Sequence, residues 1–293
     1  MGHTVWKSDA GRVRLESWYD RFLARVPVPV ERRTITTSAG PGDVLLAGPA
    51  GAPVVVCLHA MRTGAAHFLS ELGPLAERFR LVAPDLPAQS VRGPQTRLSL
   101  KDDSHARWLV EVLDALGVGV VNLFGVSWGG FVARQTATAF PARVRRLALL
   151  VPAGVVNGSH WKGLTRMAVP LLRYRLRPTG ANLRRLLDPL LTTWDDLWAG
   201  YTGDSMRDLT LDLRVPPLAT DAELRGLTAP TLVLAAADDI SFPGAALVER
   251  VKRLVPSVDA AVIAGSKHCP PTTPEFRAWL AARVGAFFGP DAG

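Results

Sequence analysis

Continuous apolar runs of strand length alternate with amphipathic stretches along most of the chain. A run such as VVVCL is typical of a strand buried on both faces of a parallel sheet, because a half-exposed strand alternates apolar and polar residues. Two short strands joined by the turn-forming residues AGPG precede these runs. The predicted strands cover 31–38, 43–48, 52–60, 80–85, 120–125, 143–152, 230–239 and 259–265. The predicted helices cover 12–26, 66–79, 102–116, 129–140, 244–254 and 275–288.

This alternation predicts the architecture of the chain. Strands that alternate with helices form a mostly parallel sheet with helices on both faces. The alternation stops after the strand that ends at 152, and only short helical stretches follow before the next strand. We therefore expect one α/β core, formed by 1–152 and 217–293, with an N-terminal helix at 12–26 and a helical cap inserted over 153–216.

A serine lies between glycines where a predicted strand meets a predicted helix, in the sequence VVNLFGVSWGGF. A chain that turns from strand to helix within one or two residues forces the apex residue into a strained conformation with positive φ. The residues two before and two after the apex nearly touch, and Gly125 and Gly129 provide the room. Ser127 at the apex is then held clear of the backbone above the carboxyl end of the strand, in the position of a nucleophile. A tight turn without chemistry is the alternative interpretation.

A serine nucleophile needs a base within hydrogen-bond reach and a third group that orients the base. His268 follows the last predicted strand, and Asp238 and Asp239 follow the strand before it. Both loops leave the sheet at the same edge as Ser127, because parallel strands end on one side. Neighbouring residues at a strand end point in different directions, so only one of the two carboxylates reaches the imidazole.

Acyl transfer also needs two N–H donors for the developing oxyanion. The amide of Trp128, directly after the serine, would be one donor, and the loop that begins with HAMRTG should provide the other. These motifs, together with the acid and the histidine downstream, resemble the serine-dependent α/β-hydrolase family, in particular its carboxylesterases. The resemblance covers 33–288. It implies the α/β-hydrolase fold, with the helical block in the cap position.

The resemblance also implies roles for individual residues. In the family the second oxyanion donor follows a His-Gly pair, which corresponds here to Met61, although Ala60 stands where glycine is usual. His59 is expected to orient this loop through a hydrogen bond. The family's acid lies four residues before a proline, as Asp239 does before Pro243. Asp239 is therefore the expected acid.

The expected activity is cleavage of a carboxylic ester through an acyl-enzyme intermediate, with a small-molecule substrate, no cofactor and no metal ion. Hydrolysis of thioesters, lactones or carbon–carbon bonds uses the same triad and stays open. A non-catalytic protein that keeps the cavity for a small ligand is a further alternative, against which an intact triad argues. The sequence predicts no oligomeric state.

Composition and charge are consistent with this hypothesis. The chain has 293 residues, of which 48% are hydrophobic and 20% charged, as in ordinary globular proteins. The net charge of +8 comes from scattered arginines and is not accompanied by a nucleic-acid-binding motif. No apolar run is long enough to span a membrane, and the N-terminal region has charges where a signal peptide needs an apolar core. We therefore expect a cytoplasmic protein, with Cys57 and Cys269 as reduced thiols.

The first half of the predicted cap, 160–187, is strongly basic and contains no acidic residue. We hypothesise that this positive surface favours substrates with a carboxylate or phosphate away from the scissile bond. A solvated face without a role in binding is the alternative. The basic residues are Lys162, Arg166, Arg173, Arg175, Arg177, Arg184 and Arg185.

Overall fold

The computed structural model describes residues 4–210, 212 and 214–289, without the side chains of His160 and Lys162. In this part of the chain eight strands form one sheet: β1 (Val30–Thr37), β2 (Gly40–Ala47), β3 (Val54–Leu58), β4 (Arg80–Pro84), β5 (Val121–Val126), β6 (Val144–Leu150), β7 (Thr231–Ala236) and β8 (Val258–Ile263). Their order is β1-β2-β4-β3-β5-β6-β7-β8. Strand β2 is antiparallel to both neighbours, and the other adjacent pairs are parallel. The mostly parallel sheet predicted from the apolar runs is confirmed.

Helices cover both faces of this sheet, as predicted. They are α1 (Asp9–Leu23), α2 (Ala65–Leu69), α3 (Ser104–Ala115), α4 (Trp128–Ala139), α5 (His160–Gly163), α6 (Val169–Leu176), α7 (Gly180–Leu187), α8 (Asp196–Asp208), α9 (Asp221–Arg225), α10 (Gly244–Leu254) and α11 (Pro274–Phe288). One hydrophobic core joins α3, α4 and α10 to the sheet, and a second joins α1, α2 and α11 to its other face. Successive residues of β3 point into different cores, since Val55 lies in the second core and Val56 in the first.

The single helix predicted over 66–79 is wrong. Helix α2 ends at Leu69, and a separate 3₁₀ turn spans Gly73–Glu77. Gly73 packs so closely on Pro27 that a Cβ atom there would lie 2.5 Å from the Pro27 Cγ. Pro74 has no amide hydrogen to donate to a preceding helical turn. The tight packing and the proline together interrupt the helical pattern.

The N-terminal helix α1 is displaced from the predicted range of 12–26. It begins at Asp9, because the Ser8 side chain accepts a hydrogen bond from the amide of Gly11 and caps the helix. It ends at Leu23, before Pro27. Leu15, Tyr19 and Phe22 lie on its buried face.

Helices α5–α8 lie between β6 and β7, and we call residues 160–208 the helical segment. A π-helical turn, Leu164–Ala168, joins α5 to α6. The segment has a small core of its own, formed by Tyr174, Leu186, Leu187, Ala199 and Met206. Helix α8 contacts α1, where the Trp18 indole donates to Asp204 at 2.7 Å. Among the described residues, no helix is long and apolar enough to cross a membrane.

Candidate active site

Ser127 occupies the sharp turn between β5 and α4. Its φ of 50° and ψ of −112° are the strained backbone that the glycine pattern predicted. A Cβ atom at Gly125 would overlap the carbonyl oxygen of Gly129, and one at Gly129 would overlap that of Leu58. The turn therefore requires glycine on both sides of the serine.

The structure brings the three predicted triad side chains together. The Ser127 Oγ lies 3.2 Å from the His268 Nε2, and the His268 Nδ1 lies 2.8 Å from the Asp239 Oδ2. A carboxylate only accepts hydrogen bonds, so Nδ1 carries the proton and Nε2 presents its lone pair to the serine hydroxyl. The imidazole thus has the tautomer that a general base requires.

The Asp239 carboxylate is held by more than the imidazole. Its side chain is fully buried, and its Oδ1 accepts hydrogen bonds from the amides of Ser241 at 2.7 Å and Phe242 at 3.0 Å. These bonds fix the orientation of the carboxylate and leave Oδ2 for the histidine. Asp238 is exposed, and its amide donates to the Ser266 carbonyl at 2.8 Å. Of these two carboxylates, Asp239 is the one that reaches His268.

His59 is buried at the end of β3 and fixes the loop that follows. Its Nε2 accepts a hydrogen bond from the Leu86 amide at 2.8 Å, so its Nδ1 carries the proton and donates to the Ala60 carbonyl at 2.8 Å. The Thr63 hydroxyl donates to the same carbonyl, also at 2.8 Å. Burial lowers the pKa of His59 to about 4 and keeps it neutral. His59 is therefore suited to hold a loop and unsuited to accept the serine proton.

The amides of Met61 and Trp128 lie in adjacent turns at one edge of the sheet. Leu58 of β3 pairs with Gly125 of β5, so the chain after β3 and the chain after β5 emerge side by side. Neither amide donates a hydrogen bond to any other residue that the structure describes. Trp128 is also the first residue of α4, where the helix dipole favours negative charge. The two N–H groups are thus available to a developing oxyanion.

Two residues that sequence reasoning did not single out support this arrangement. The buried Asp85 accepts hydrogen bonds from the Tyr19 hydroxyl at 2.7 Å and the Ala65 amide at 2.9 Å, and burial raises its pKa to about 6. Thr192, in the helical segment, bonds to the residues on both sides of His268. Asp85 could have been suspected, because it follows a buried strand at the same sheet edge. The sequence around Thr192 contains no comparable signal.

The other histidines and the cysteines of the described residues form no second centre. In the described ranges, no group of three or more His, Cys, Asp or Glu side chains could hold a metal ion. His67 and His105 are buried with ring nitrogens that no described group bonds, and His3 lies outside the described residues. Cys57 and Cys269 are free thiols, and burial raises the pKa of Cys269 to about 12.

Comparisons with known proteins agree with this geometry. A family profile described as "alpha/beta hydrolase fold" matches residues 53–272. Two Bacillus subtilis proteins, the uncharacterized carboxylesterase nap and carboxylesterase YbfK, are each 24% identical. The first alignment covers 98% of this chain and 95% of nap, and the second covers 87% of this chain and 88% of YbfK. The crystal structure of naproxen esterase (carboxylesterase NP) from the same bacterium has a TM-score of 0.81 at 23% identity, covering 96% of this chain and 99% of that chain. The predicted resemblance and fold are confirmed.

Proposed function

The chain belongs to the α/β-hydrolase fold family, and we propose that it hydrolyses carboxylic esters through an acyl-enzyme intermediate. The observation that carries the proposal is the continuous hydrogen-bond relay from Ser127 through His268 to Asp239. Two relatives that align over most of the chain are named carboxylesterases, which supports an ester as the substrate.

Acylation begins when the Ser127 Oγ attacks the carbonyl carbon of the ester. His268 accepts the hydroxyl proton at Nε2, and the resulting imidazolium is stabilised by the buried Asp239 carboxylate. The amides of Met61 and Trp128 donate to the oxyanion of the tetrahedral intermediate. His268 then transfers its proton to the leaving alkoxide, and the alcohol departs.

Deacylation repeats these steps with water as the nucleophile. His268 takes a proton from the water as it attacks the acyl carbon, the oxyanion returns to the same two amides, and Ser127 leaves with the proton from His268. The route needs no cofactor.

The proposal also assigns a role to the helical insertion. The core consists of 1–152 and 217–293, and residues 153–216 form a cap over the serine. The helical segment, which lies within this cap, covers the substrate during both steps.

A fluorophosphonate probe tests the nucleophile directly. The probe reacts with serine hydroxyls that a neighbouring base activates, so we expect one covalent adduct, located by peptide mass spectrometry at Ser127. Ser127→Ala should remain unlabelled, whereas Ser205→Ala removes another buried serine hydroxyl and should label like the wild type. A folded wild-type protein that stays unlabelled would contradict the proposal.

A panel of p-nitrophenyl esters of graded acyl length, beside an acyl thioester and a lactone, then separates ester hydrolysis from the other reactions of the same triad. We expect the highest kcat/KM within the ester series. A thioester or lactone that exceeds all esters by more than about tenfold would reassign the bond that is cleaved.

A further inference from the structure

Arg62 directly follows the predicted oxyanion donor Met61 and is held there by its backbone. Its φ of 56° lies in the left-handed region, which residues other than glycine rarely adopt. Its amide donates to the Gln89 Oε1 at 3.2 Å, and its carbonyl accepts a hydrogen bond from the Tyr201 hydroxyl of α8. Arg62 therefore occupies a fixed position between the core and the helical segment.

The guanidinium of Arg62 is half-buried without a counter-ion. Its Nη1 contacts the Met206 Sδ at 3.2 Å, and a thioether sulfur is only a weak acceptor. No carboxylate of the described residues lies within the 4.0 Å of an ion pair. Burial lowers the pKa of this guanidinium, so the site destabilises the charge that it holds. The Arg62 Nε and Nη2 bond no described side chain and are not fully buried, so a bound molecule can reach their N–H groups.

A second cation adds to this imbalance. The Arg175 Nε lies 3.4 Å from the Met206 carbonyl oxygen, so two guanidinium groups flank one residue of α8. Their repulsion is a further cause of the lowered pKa of Arg62. Arg175 is exposed to solvent, whereas Arg62 is half-buried. Arg62 is therefore the less solvent-exposed of the two cations.

The nearby carboxylates already have partners. Asp208 binds the guanidinium groups of Arg14 at 2.7 Å and Arg207 at 3.2 Å. Asp212 binds Arg214 at 2.6 Å. The Asp212 carboxylate attracts Arg62 without contacting it, so a direct ion pair for Arg62 would have to come from a bound molecule.

Arg62 lies close enough to the oxyanion loop for one substrate to contact both. Arg62 directly follows Met61, with the two Cα atoms about 3.8 Å apart, so its guanidinium is one side-chain length from the loop whose amide would hold the oxyanion. A small substrate with an ester at one end and an anion at the other can span this distance.

We propose that Arg62 is a specificity-determining residue that binds a carboxylate carried by the ester substrate, away from the scissile bond. This inference rests on the proposed ester hydrolysis and narrows its substrates to monoesters of dicarboxylic acids or esters of hydroxy acids. A carboxylate has the single charge and the planar shape that one guanidinium matches with two parallel hydrogen bonds. The basic surface of 160–187 was expected to attract anionic substrates in general. The proposal replaces that attraction with one defined contact between Arg62 and the carboxylate.

Two pairs of matched substrates test the proposal. In the first, mono-p-nitrophenyl adipate is compared with the p-nitrophenyl ester of its monoamide, which places the charge on the acyl side. In the second, the butyrate esters of 3-hydroxybenzoate and 3-hydroxybenzamide place it on the alcohol side. We expect the wild type to favour the anionic member of at least one pair. Arg62→Gln should lower the anionic-to-neutral ratio of kcat/KM by about tenfold or more, mainly through KM.

Control variants separate a defined contact from surface attraction. Arg62→Lys keeps the charge but not the two-pronged donor, and should retain part of the preference. Arg166→Gln removes an exposed charge of the helical segment and should leave the ratio within about twofold of the wild type. An equal ratio in the wild type and in Arg62→Gln for both pairs would overturn the proposal, as would an Arg166→Gln effect as large as that of Arg62→Gln.

A binding measurement makes the result independent of turnover. Calorimetry with adipate should give heat of binding to the wild type and at least about tenfold weaker binding to Arg62→Gln. If the protein cleaves no ester but binds adipate through Arg62, the proposed function fails and the anion site stands. If esters are cleaved and adipate does not bind to the wild type, the anion site fails and the proposed function stands. Should Arg62→Gln not fold, Arg62→Met, which keeps an apolar contact with Met206, takes its place in both experiments.

Discussion

The hydroxyl of Thr192 forms hydrogen bonds with the residues on both sides of His268. It accepts a hydrogen bond from the Lys267 amide at 2.9 Å and donates one to the Cys269 carbonyl at 2.7 Å. The backbone reinforces the link, since the Thr192 amide donates to the Cys269 carbonyl at 3.1 Å and the Cys269 amide donates to Leu190 at 2.9 Å. The peptide groups on both sides of the histidine are therefore fixed by the helical segment.

Replacing this hydroxyl should impair catalysis without unfolding the protein. Thr192→Val keeps the shape of the side chain but leaves the Lys267 amide without its acceptor, so His268 gains freedom relative to Ser127. We expect kcat to fall by about tenfold to a hundredfold, because small displacements of a catalytic group cost this much. Thr192→Ser restores the hydroxyl and should recover most of the rate. The measurement is kcat for a p-nitrophenyl ester, with the melting temperature recorded in parallel.

Thr165→Val is the matched control for that experiment. Thr165 also lies in the helical segment, but its hydroxyl donates to the Trp161 carbonyl one helical turn away, at 2.8 Å, and it is exposed. Its loss should leave kcat within about twofold of the wild type, as for an ordinary surface change. Equal kcat values for Thr192→Val and Thr165→Val would show that the hydrogen bonds of the Thr192 hydroxyl have no influence on the histidine.

Ser127→Ala should fold normally and lose at least about a thousandfold in kcat, because the nucleophile, base and acid act as a unit. Alanine fits the turn as serine does, since the glycines that permit the turn are unchanged. Circular dichroism and the melting temperature establish that the variant is folded. Ester turnover that survives near the wild-type rate would refute the mechanism.

The adjacent carboxylates Asp239 and Asp238 allow a matched comparison. In Asp239→Asn, the amide oxygen would remain on the amides of Ser241 and Phe242, and the NH₂ group would face the imidazole. The His268 Nδ1 would then have to accept, which places the proton on Nε2, the nitrogen that must receive the serine proton. We expect kcat to fall by about two orders of magnitude or more.

Asp238→Asn should lower kcat by about tenfold or less, because the exposed side chain of Asp238 is not bonded to the histidine. Both variants are measured at saturating substrate. A larger loss in Asp238→Asn than in Asp239→Asn would move the acid to Asp238.

The sequence predicted the parts of the site that depend on local geometry. The turn at Ser127 is visible because its steric requirements fall on residues two positions away, and Asp239 and His268 follow strands whose direction the alternation sets. The contacts of Thr192 with Lys267 and of Arg62 with Met206 join residues that are 75 and 144 positions apart. Such contacts depend on how the helical segment packs, and no local pattern encodes that packing. The interrupted helix after Leu69 has the same origin, since Gly73 meets Pro27 through tertiary structure.

His67 provides a test of how the core responds to pH. Its ring lies in an aromatic cluster, with centroids 4.3 Å from Phe22 and 4.1 Å from Tyr201, and neither ring nitrogen bonds a described group. Burial holds its pKa well below the ordinary value of 6.5. The stability that comes from keeping this ring neutral is complete above pH 6.5 and is lost as pH falls, because the unfolded chain binds a proton that the folded chain does not.

His67→Phe removes this proton uptake and places an apolar ring among aromatic neighbours. The melting temperature of the variant relative to the wild type should therefore rise as the pH is lowered from 8 to 5, in the range where the unfolded histidine titrates. Calorimetric scans of both proteins at matched ionic strength give the difference at each pH. The other buried histidines, His59 and His105, are present in both proteins and cancel in the comparison. If the difference in melting temperature is the same at pH 5 and pH 8, His67 is protonated at pH 5 in the folded protein as well. A polar group or water would then have to satisfy its charge.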